Sequence, residues 1–168
     1  MNYIINIKKF KRGINVNTRI RGFEVCRGWE DKNINIPKPS TKYSAGNDFE
    51  AAEDTIILPS YERLVTLVPT EIKAYMQEDE VLELYDRSSN PSKRGIALAN
   101  SVGIIDKDYY NNPDNDGHIM FPFMNLTNDP VIIHKGDRIG QGIFIKYLRS
   151  DDSYVDTTRE SGFGSTGK

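Results

Sequence analysis

One acidic side chain in this chain of 168 residues stands directly after an apolar run, namely Asp106 after Ile104 and Ile105. A carboxylate that emerges from an apolar strand is costly unless it is paired or used in chemistry. Asp106 is therefore a candidate for a positioned general base, with structural pairing to an Arg or Lys as the alternative. Asp108, two residues further on, is expected on the same face but nearer to solvent.

Two other segments carry groups that bind anions. Residues 86–89 end an apolar run with Arg87 and two serines, and guanidinium, hydroxyl and backbone donors together can hold phosphate oxygens. An ordinary polar turn has the same composition. Residues 161–168 combine glycines and hydroxyls with Phe163, and Arg159 precedes them. Anion-binding groups beside an aromatic ring favour a nucleotide as ligand, against the simpler interpretation of a disordered chain end.

The elements that must position these groups are short strands. Apolar runs rich in β-branched and aromatic residues alternate with turn-forming Pro, Gly, Asn and Asp, which is typical of an all-β, jelly-roll-like barrel or sandwich with little helix. Residues 92–94 favour a helix, and residues 71–76 fit a helix or a strand. Asp48 is expected at the start of a strand, and residues 99–110 are expected to form an apolar hairpin interrupted by Gly103. The strand-like runs are 55–58, 63–68, 81–85, 131–133 and 139–147.

Composition limits the class of protein. A net charge of −2 and a pI near 5.7 argue against a dedicated nucleic-acid-binding protein. Cys26 is the only cysteine, which suits the reducing cytoplasm. No apolar stretch is long enough to cross a bilayer, so no membrane association is expected. His118 and His134 lack metal-ligand spacing and are predicted to be surface residues without a role.

The sequence divides into three parts. Residues 1–21 hold six Lys or Arg and no acidic residue, and form a basic N-terminal extension, for which a solvated segment is favoured over an edge strand or a polyanion contact. Residues 22–148 form the β domain. Residues 149–168 form a flexible C-terminal arm that is expected to close over an active site.

Five segments, taken in order, resemble the motifs of the trimeric deoxyuridine triphosphatase (dUTPase) family. Each motif alone is weak evidence, but five motifs in sequence order, at spacings that fit one domain, are specific evidence. The resemblance covers about residues 22–168. It implies hydrolysis of dUTP to dUMP and pyrophosphate with Mg²⁺, by a homotrimer whose active sites lie between subunits. The five segments are 45–51, 86–89, 100–109, 136–141 and 159–167.

The resemblance also implies roles for single residues. Asp106 would activate a water that attacks the α-phosphorus, and Asp48 would contact Mg²⁺ through water. Tyr109 would press on the deoxyribose and exclude a 2′-hydroxyl. Backbone groups of residues 100–105, among them Asn100, Gly103 and Ile105, would read the uracil edge. Phosphate binding would fall to Arg87, Ser88, Ser89 and Gln141, and the arm would add Phe163 on the uracil and Arg159, Gly164, Ser165 and Thr166 around the phosphates.

Residues 112–117 form an insertion-like turn after the third motif. This turn would cap the site, contact a neighbouring subunit or simply lengthen a hairpin.

Two other functions stay open. A deoxycytidine triphosphate deaminase of the same fold needs a buried acid at the base, and residues 117–125 contain no glutamate. A nucleotide-gated regulatory binding protein would use residues 112–117 or the basic extension as its partner surface.

Overall fold

Ten short strands and two single helical turns make up the part of the chain that the computed structural model describes, residues 19–153. The turns are a π-helical turn at Asn90–Arg94 and a 3₁₀ turn at Lys107–Tyr109. The predicted all-β fold with little helix is confirmed. The strands are β1 Gly22–Val25, β2 Asn47–Glu50, β3 Thr55–Ile57, β4 Thr66–Tyr75, β5 Glu80–Asp86, β6 Ile96–Leu98, β7 Val102–Ile105, β8 Ile119–Asn125, β9 Val131–Ile133 and β10 Arg138–Lys146.

The strands form two four-stranded sheets and one two-stranded ribbon. The first sheet has the order β1-β4-β8-β6, the second has the order β2-β10-β5-β7, and β3 pairs with β9. All of these pairings are antiparallel. Neighbours in a sheet are mostly distant in sequence, as expected for a jelly-roll-like arrangement.

The core lies between the two four-stranded sheets. β8 alternates buried and half-buried residues, so Phe121 and Phe123 point inward, as a strand with one covered face requires. Phe121 meets Phe49 of the second sheet with ring centroids 5.4 Å apart. Gly140 of β10 makes this contact possible, since a Cβ there would lie 2.0 Å from Cε1 of Phe121.

β4 is irregular where its pairing with β8 shifts register between Pro69 and Ile72. Glu71 has a φ of 54°, a left-handed conformation that is uncommon for a residue with a side chain. The backbone N–H groups of Thr70 and Glu71 both turn toward Nε2 of His118, at 3.3 and 3.0 Å. His118 therefore supplies the acceptor that the irregular backbone needs.

The environment of this pair sets the charge state of both side chains. Burial lowers the pKa of His118 to about 4, so the ring is neutral near pH 7. Burial, with the nearby Glu53 carboxylate adding to it, raises the pKa of Glu71 from 4.5 to about 7. The 3.7 Å contact between Glu71 Oε1 and the neutral His118 Nε2 is therefore not an ion pair.

The structure decides four predictions from the sequence. The turn at Asn90–Arg94 confirms the helix expected at 92–94, and β4 shows that residues 71–75 form a strand. The predicted hairpin is wrong, because β6 pairs with β8 in one sheet and β7 pairs with β5 in the other. The surface position predicted for His118 is wrong because its side chain is only 14% exposed, whereas that of His134 is 68% exposed.

We predict that Glu71→Gln removes a pH-dependent loss of stability. The raised pKa means that the fold prefers the protonated acid, so the wild-type chain loses stability as pH rises from about 4.5 through about 7. The neutral amide does not ionise. Denaturant unfolding should therefore find the variant more stable than wild type at pH 8, by about 1–3 kcal/mol, and close to it at pH 5. Exposed Glu62→Gln is the control, and parallel stability curves for Glu71→Gln and wild type between pH 5 and 8 would refute the prediction.

Candidate active site

Five of the predicted site residues lie in the turn before β7, along β7 or in the turn that follows it. This β7 cluster consists of Asn100, Gly103, Ile105, Asp106 and Tyr109, and all of them except Asp106 line a pocket of about 190 Å³. Among the strands of residues 19–153, β7 is an edge strand that pairs only with β5. In an antiparallel pair, alternate residues direct their N–H and C=O groups away from the partner strand. The edge of β7 therefore offers backbone donors and acceptors to a planar ligand.

Asp106 and Tyr109 are joined by one tight turn. Asp106 is half-buried at the end of β7, and its carbonyl accepts a hydrogen bond from the Tyr109 N–H at 3.1 Å. Tyr109 is buried, and its hydroxyl donates to the carbonyl of His118 at 2.9 Å. Asp108 lies within the 3₁₀ turn and is exposed, so the expectation that it shares the strand face of Asp106 is wrong. The strand ends at Ile105, and its alternation does not extend to Asp108.

The other predicted site residues within residues 19–153 lie where β2, β10 and β5 meet. This β10 cluster consists of Asp48, Arg87, Ser88, Ser89 and Gln141. Gln141 is directly opposite Asp48 on one side and Tyr85 on the other. Asp48 stands at the start of β2, as predicted.

Arginine side chains connect the parts of the β10 cluster. Arg138 Nη1 donates to Asp48 Oδ2 at 3.0 Å, and Asp48 also accepts from the Ser40 hydroxyl. Arg87 Nη1 donates to the Arg138 carbonyl at 3.0 Å. A Cβ at Gly46 would lie 2.3 Å from Gln141 Oε1, so a side chain there would displace the Gln141 amide. The arrangement concentrates guanidinium, hydroxyl and amide donors at one end of the sheet, which is a suitable surface for phosphate oxygens.

Asp86 and Asn90 hold the turn that carries Arg87, Ser88 and Ser89. The Asp86 carboxylate accepts from the Arg87 N–H at 2.7 Å, from Asn90 Nδ2 at 2.6 Å and from the Leu98 N–H at 3.0 Å. Asn90 is fully buried and also donates to the Ile139 carbonyl at 2.8 Å. No role for Asp86 or Asn90 was predicted from the sequence. The available signal was an acid at the end of a strand followed four residues later by Asn before Pro91.

Asp106 of the β7 cluster and Arg87 of the β10 cluster lie at opposite ends of the same strand pair. Ile105 is opposite Leu82, whereas Val102 is opposite Tyr85. Asp106 therefore continues past the Leu82 end of β5, and Arg87 continues past the other end. Six residues of strand, about 20 Å at the usual rise, separate them along β5. One chain does not bring all of the predicted site residues together.

The remaining predicted residues, Arg159, Phe163, Gly164, Ser165 and Thr166, lie outside the described residues. Within residues 19–153 no three His, Cys, Asp or Glu side chains are grouped closely enough to hold a metal ion by themselves. The same part of the chain contains no helix with the length and apolar character needed to cross a bilayer.

The comparisons with known proteins agree with one another. The dUTPase family model matches residues 32–167. The deoxyuridine 5'-triphosphate nucleotidohydrolase of Lactococcus lactis subsp. lactis is 52% identical over 151 residues, which are 89% of this chain and 99% of the relative. The crystal structure of the dUTPase from Streptococcus mutans is 48% identical, with a TM-score of 0.73, over 77% of this chain and 98% of that one.

A more distant structure shares the fold alone. It is the dUTPase of phage phi11 of Staphylococcus aureus, described with a structural Mg(II) ion, and it is 17% identical with a TM-score of 0.62. It covers 82% of this chain and 97% of its own.

The strand order and the pocket at the edge of β7 make this chain an all-β protein of the jelly-roll-like class. The match over residues 32–167 and the identity of 52% place it more closely. The chain belongs to the dUTPase family.

We predict that Asp86→Asn loosens the turn of the β10 cluster. An amide has one acceptor oxygen where the carboxylate has two, so its NH₂ group would face a donor that Asp86 now satisfies. The free energy of unfolding should fall by about 1–3 kcal/mol, as measured by denaturant titration. Asp79→Asn is the matched control, because Asp79 is an exposed carboxylate that pairs with exposed Lys146 before the other end of β5. Equal stability of the two variants would show that Asp86 does not organise the turn.

Proposed function

We propose that this protein is a dUTP diphosphatase that hydrolyses dUTP to dUMP and pyrophosphate. The observation that carries the proposal is the pocket at the edge of β7, which Asn100, Gly103 and Ile105 line, with Asp106 directly after Ile105. Membership of the dUTPase family and the names of its relatives support the choice of substrate.

The edge of β7 accounts for selection of uracil. Uracil presents acceptor, donor and acceptor groups along O4, N3–H and O2, and backbone N–H and C=O groups can pair with that pattern. Cytosine reverses two of these groups and would leave buried donors and acceptors unpaired, at about 1–3 kcal/mol for each. Tyr109, which lines the same pocket, would pack against deoxyribose and exclude a 2′-hydroxyl.

Asp106 would act as the general base. Its position after β7 places a half-buried carboxylate beside the pocket but outside the sheet ladder. The carboxylate would orient a water and take its proton as the water oxygen bonds to the α-phosphorus. The bond from that phosphorus to the bridging oxygen then breaks, and pyrophosphate leaves.

Phosphate oxygens would be bound by the β10 cluster. Arg87 supplies charge and two donor directions, Ser88 and Ser89 supply hydroxyls, and Gln141 supplies an uncharged amide. The Arg87 guanidinium is already oriented by the Arg138 carbonyl, so part of the cost of ordering it is met before ligand binds.

The donor set suits Mg²⁺, which prefers oxygen ligands and keeps several waters. Asp48 lies beside the proposed phosphate-binding residues, and its carboxylate accepts a hydrogen bond from Arg138. It would contact a hydrated ion through water. When bound with the triphosphate, Mg²⁺ would neutralise phosphate charge and favour departure of pyrophosphate.

We also propose a homotrimer with active sites shared between subunits. Asp106 and Arg87 must both approach the inner phosphates, yet about 20 Å separates them along one chain. Residues of a second chain would complete the site. Cys26 is a buried free thiol, which suits a reducing compartment, and we place the enzyme in the cytoplasm.

The outer face of the first sheet supplies a surface for such an assembly. A sheet face turned to water usually carries polar residues, but the outward positions of β6, of β8 and of β4 up to Pro69 are apolar. Two of them, Met120 and Pro122, also line the pocket, so a subunit on this face would lie beside the bound nucleotide. The outward residues are Leu67, Pro69, Ala97, Met120, Pro122 and Met124.

The substrate is tested by supplying dUTP, dCTP and dTTP with Mg²⁺ and measuring both pyrophosphate and ammonia. We expect pyrophosphate from dUTP alone, because only uracil has the pairing pattern and the small C5 edge that the pocket would accept. Ammonia released from dCTP would instead indicate a deaminase. Binding of dUTP without any product would indicate a nucleotide-gated binding protein.

The shared site is tested with two inactive chains. Asp106→Asn should bind dUTP yet turn it over about 10²–10⁴-fold more slowly, and Arg87→Ala should weaken phosphate binding. Co-assembly of the two variants in equal amounts should restore about one quarter of the sites if the two residues come from different subunits. Mixing Asp106→Asn with the double variant is the control, since no such site holds Asp106. No restored activity in the first mixture would place both residues in one subunit.

A further inference from the structure

The turn between the 3₁₀ helix and β8, residues 111–117, is built around Tyr109. Asn112 is buried and donates from Nδ2 to the Tyr109 carbonyl at 2.8 Å. Asn115 donates from Nδ2 to the Tyr109 hydroxyl at 2.7 Å. Gly117 has a φ of 84°, and a Cβ there would lie 2.7 Å from the Tyr109 carbonyl oxygen. The insertion-like segment therefore packs on Tyr109 at both the backbone and the tip of the ring.

The orientation of both amides follows from backbone donors. Asn115 Oδ1 accepts from the Gly117 N–H at 3.1 Å and from Asn112 Nδ2 at 2.8 Å, so its Nδ2 must be the atom that faces Tyr109. Asn112 Oδ1 accepts from the N–H groups of Asp114 and Asn115, both at 3.1 Å. A flipped amide at either residue would set donor against donor.

Hydrogen bonds also fix residues 111–117 to β4. Buried Lys73 donates from Nζ to Asn111 Oδ1 at 2.6 Å and to Asp116 Oδ2 at 2.8 Å. The Arg27 N–H also donates to Asp116 Oδ2, at 2.8 Å. Asn115 therefore projects from a segment that is tied to the sheet at both ends.

The Tyr109 hydroxyl is thereby held from two sides. Its proton goes to the His118 carbonyl at 2.9 Å, and its oxygen accepts from Asn115. A phenol with one donor and one acceptor partner has little freedom to shift along the ring plane. The ring lines the pocket, so its position sets how much room the pocket leaves beside Asn100 and Ile105.

We propose that Asn115 is a positioning residue that sets the sugar selectivity of the pocket by holding the Tyr109 ring through its hydroxyl. This inference rests on the proposed function, in which Tyr109 packs against deoxyribose. Without the bond from Asn115 the ring would gain the freedom to yield to a 2′-hydroxyl. The ligand class that gains from this change is the uracil ribonucleotide.

A double-mutant cycle in the full chain tests the proposal. The variants are Asn115→Ala, Tyr109→Phe and the two together, and the readout is the ratio of kcat/KM for dUTP to kcat/KM for UTP. Each single variant should lower this ratio by about fivefold or more, as expected for one lost buried hydrogen bond. The double variant should match Tyr109→Phe, because Asn115 acts only through the hydroxyl that the phenylalanine lacks.

Two further variants separate this role from folding of the turn. Asn115→Asp still accepts from Gly117 and Asn112 but faces Tyr109 with an acceptor in place of a donor. The single hydroxyl proton of Tyr109 can then serve either this carboxylate or the His118 carbonyl but not both, so the variant should lower the ratio even if Asn115→Ala fails to fold. Exposed Asp114→Ala in the same turn is the control and should leave the ratio unchanged.

An unchanged ratio in Asn115→Asp, or additive effects in the cycle, would overturn the proposal. The same ratio is also measured as the binding of dUMP against UMP. A wild-type chain that hydrolyses neither triphosphate would refute the proposed activity, while the binding ratio would still decide the role of Asn115.

Discussion

The antiparallel pairing of β5 is the constraint on which the candidate site depends. β5 pairs with β10 on one side and with β7 on the other, so every predicted site residue within residues 19–153 is held on this three-stranded unit or on β2 beside it. The register of these pairs puts the Asp106 carboxylate at one end of β5 and the turn that carries Arg87 at the other, with the pocket along the edge of β7 between them. Phe121 and Gly140 in turn hold β10 against the first sheet, so packing in the core fixes the geometry of both ends.

In the proposed function, this geometry makes Asp106 of the β7 cluster and Arg87 of the β10 cluster parts of different sites within one chain. Each cluster is well built by itself. Asp86 and Asn90 stabilise the turn of the β10 cluster by hydrogen bonds, and residues 111–117 do the same for Tyr109 of the β7 cluster. In the proposed trimer, a second copy would supply the part of the site that one chain does not bring together, and the apolar outer face of the first sheet would be its binding surface.

Local patterns predicted the strands and the candidate residues but not their long-range partners. Runs such as 81–85 are bounded by turn residues, and Asp106 stands out because it ends such a run. The hairpin at 99–110 was wrong because alternation does not specify which strand a segment pairs with, and β7 joins the sheet opposite to that of β6. The burial of His118 was missed because the backbone groups that need it belong to residues 47 and 48 positions away in sequence. Asp86 and Asn90 likewise act through contacts with distant strands.

In the proposed function, recognition of the base by the edge of β7 would use backbone atoms, which every amino acid shares. Ile104, for example, exposes about half of its side chain, and exchanging it would leave the peptide groups of the strand in place. Point substitutions along the strand would therefore change the preference for one base very little. In a site lined by amide or hydroxyl side chains, such substitutions would remove the recognising groups. Proteins with this backbone could therefore differ widely in their surface residues and still select the same base.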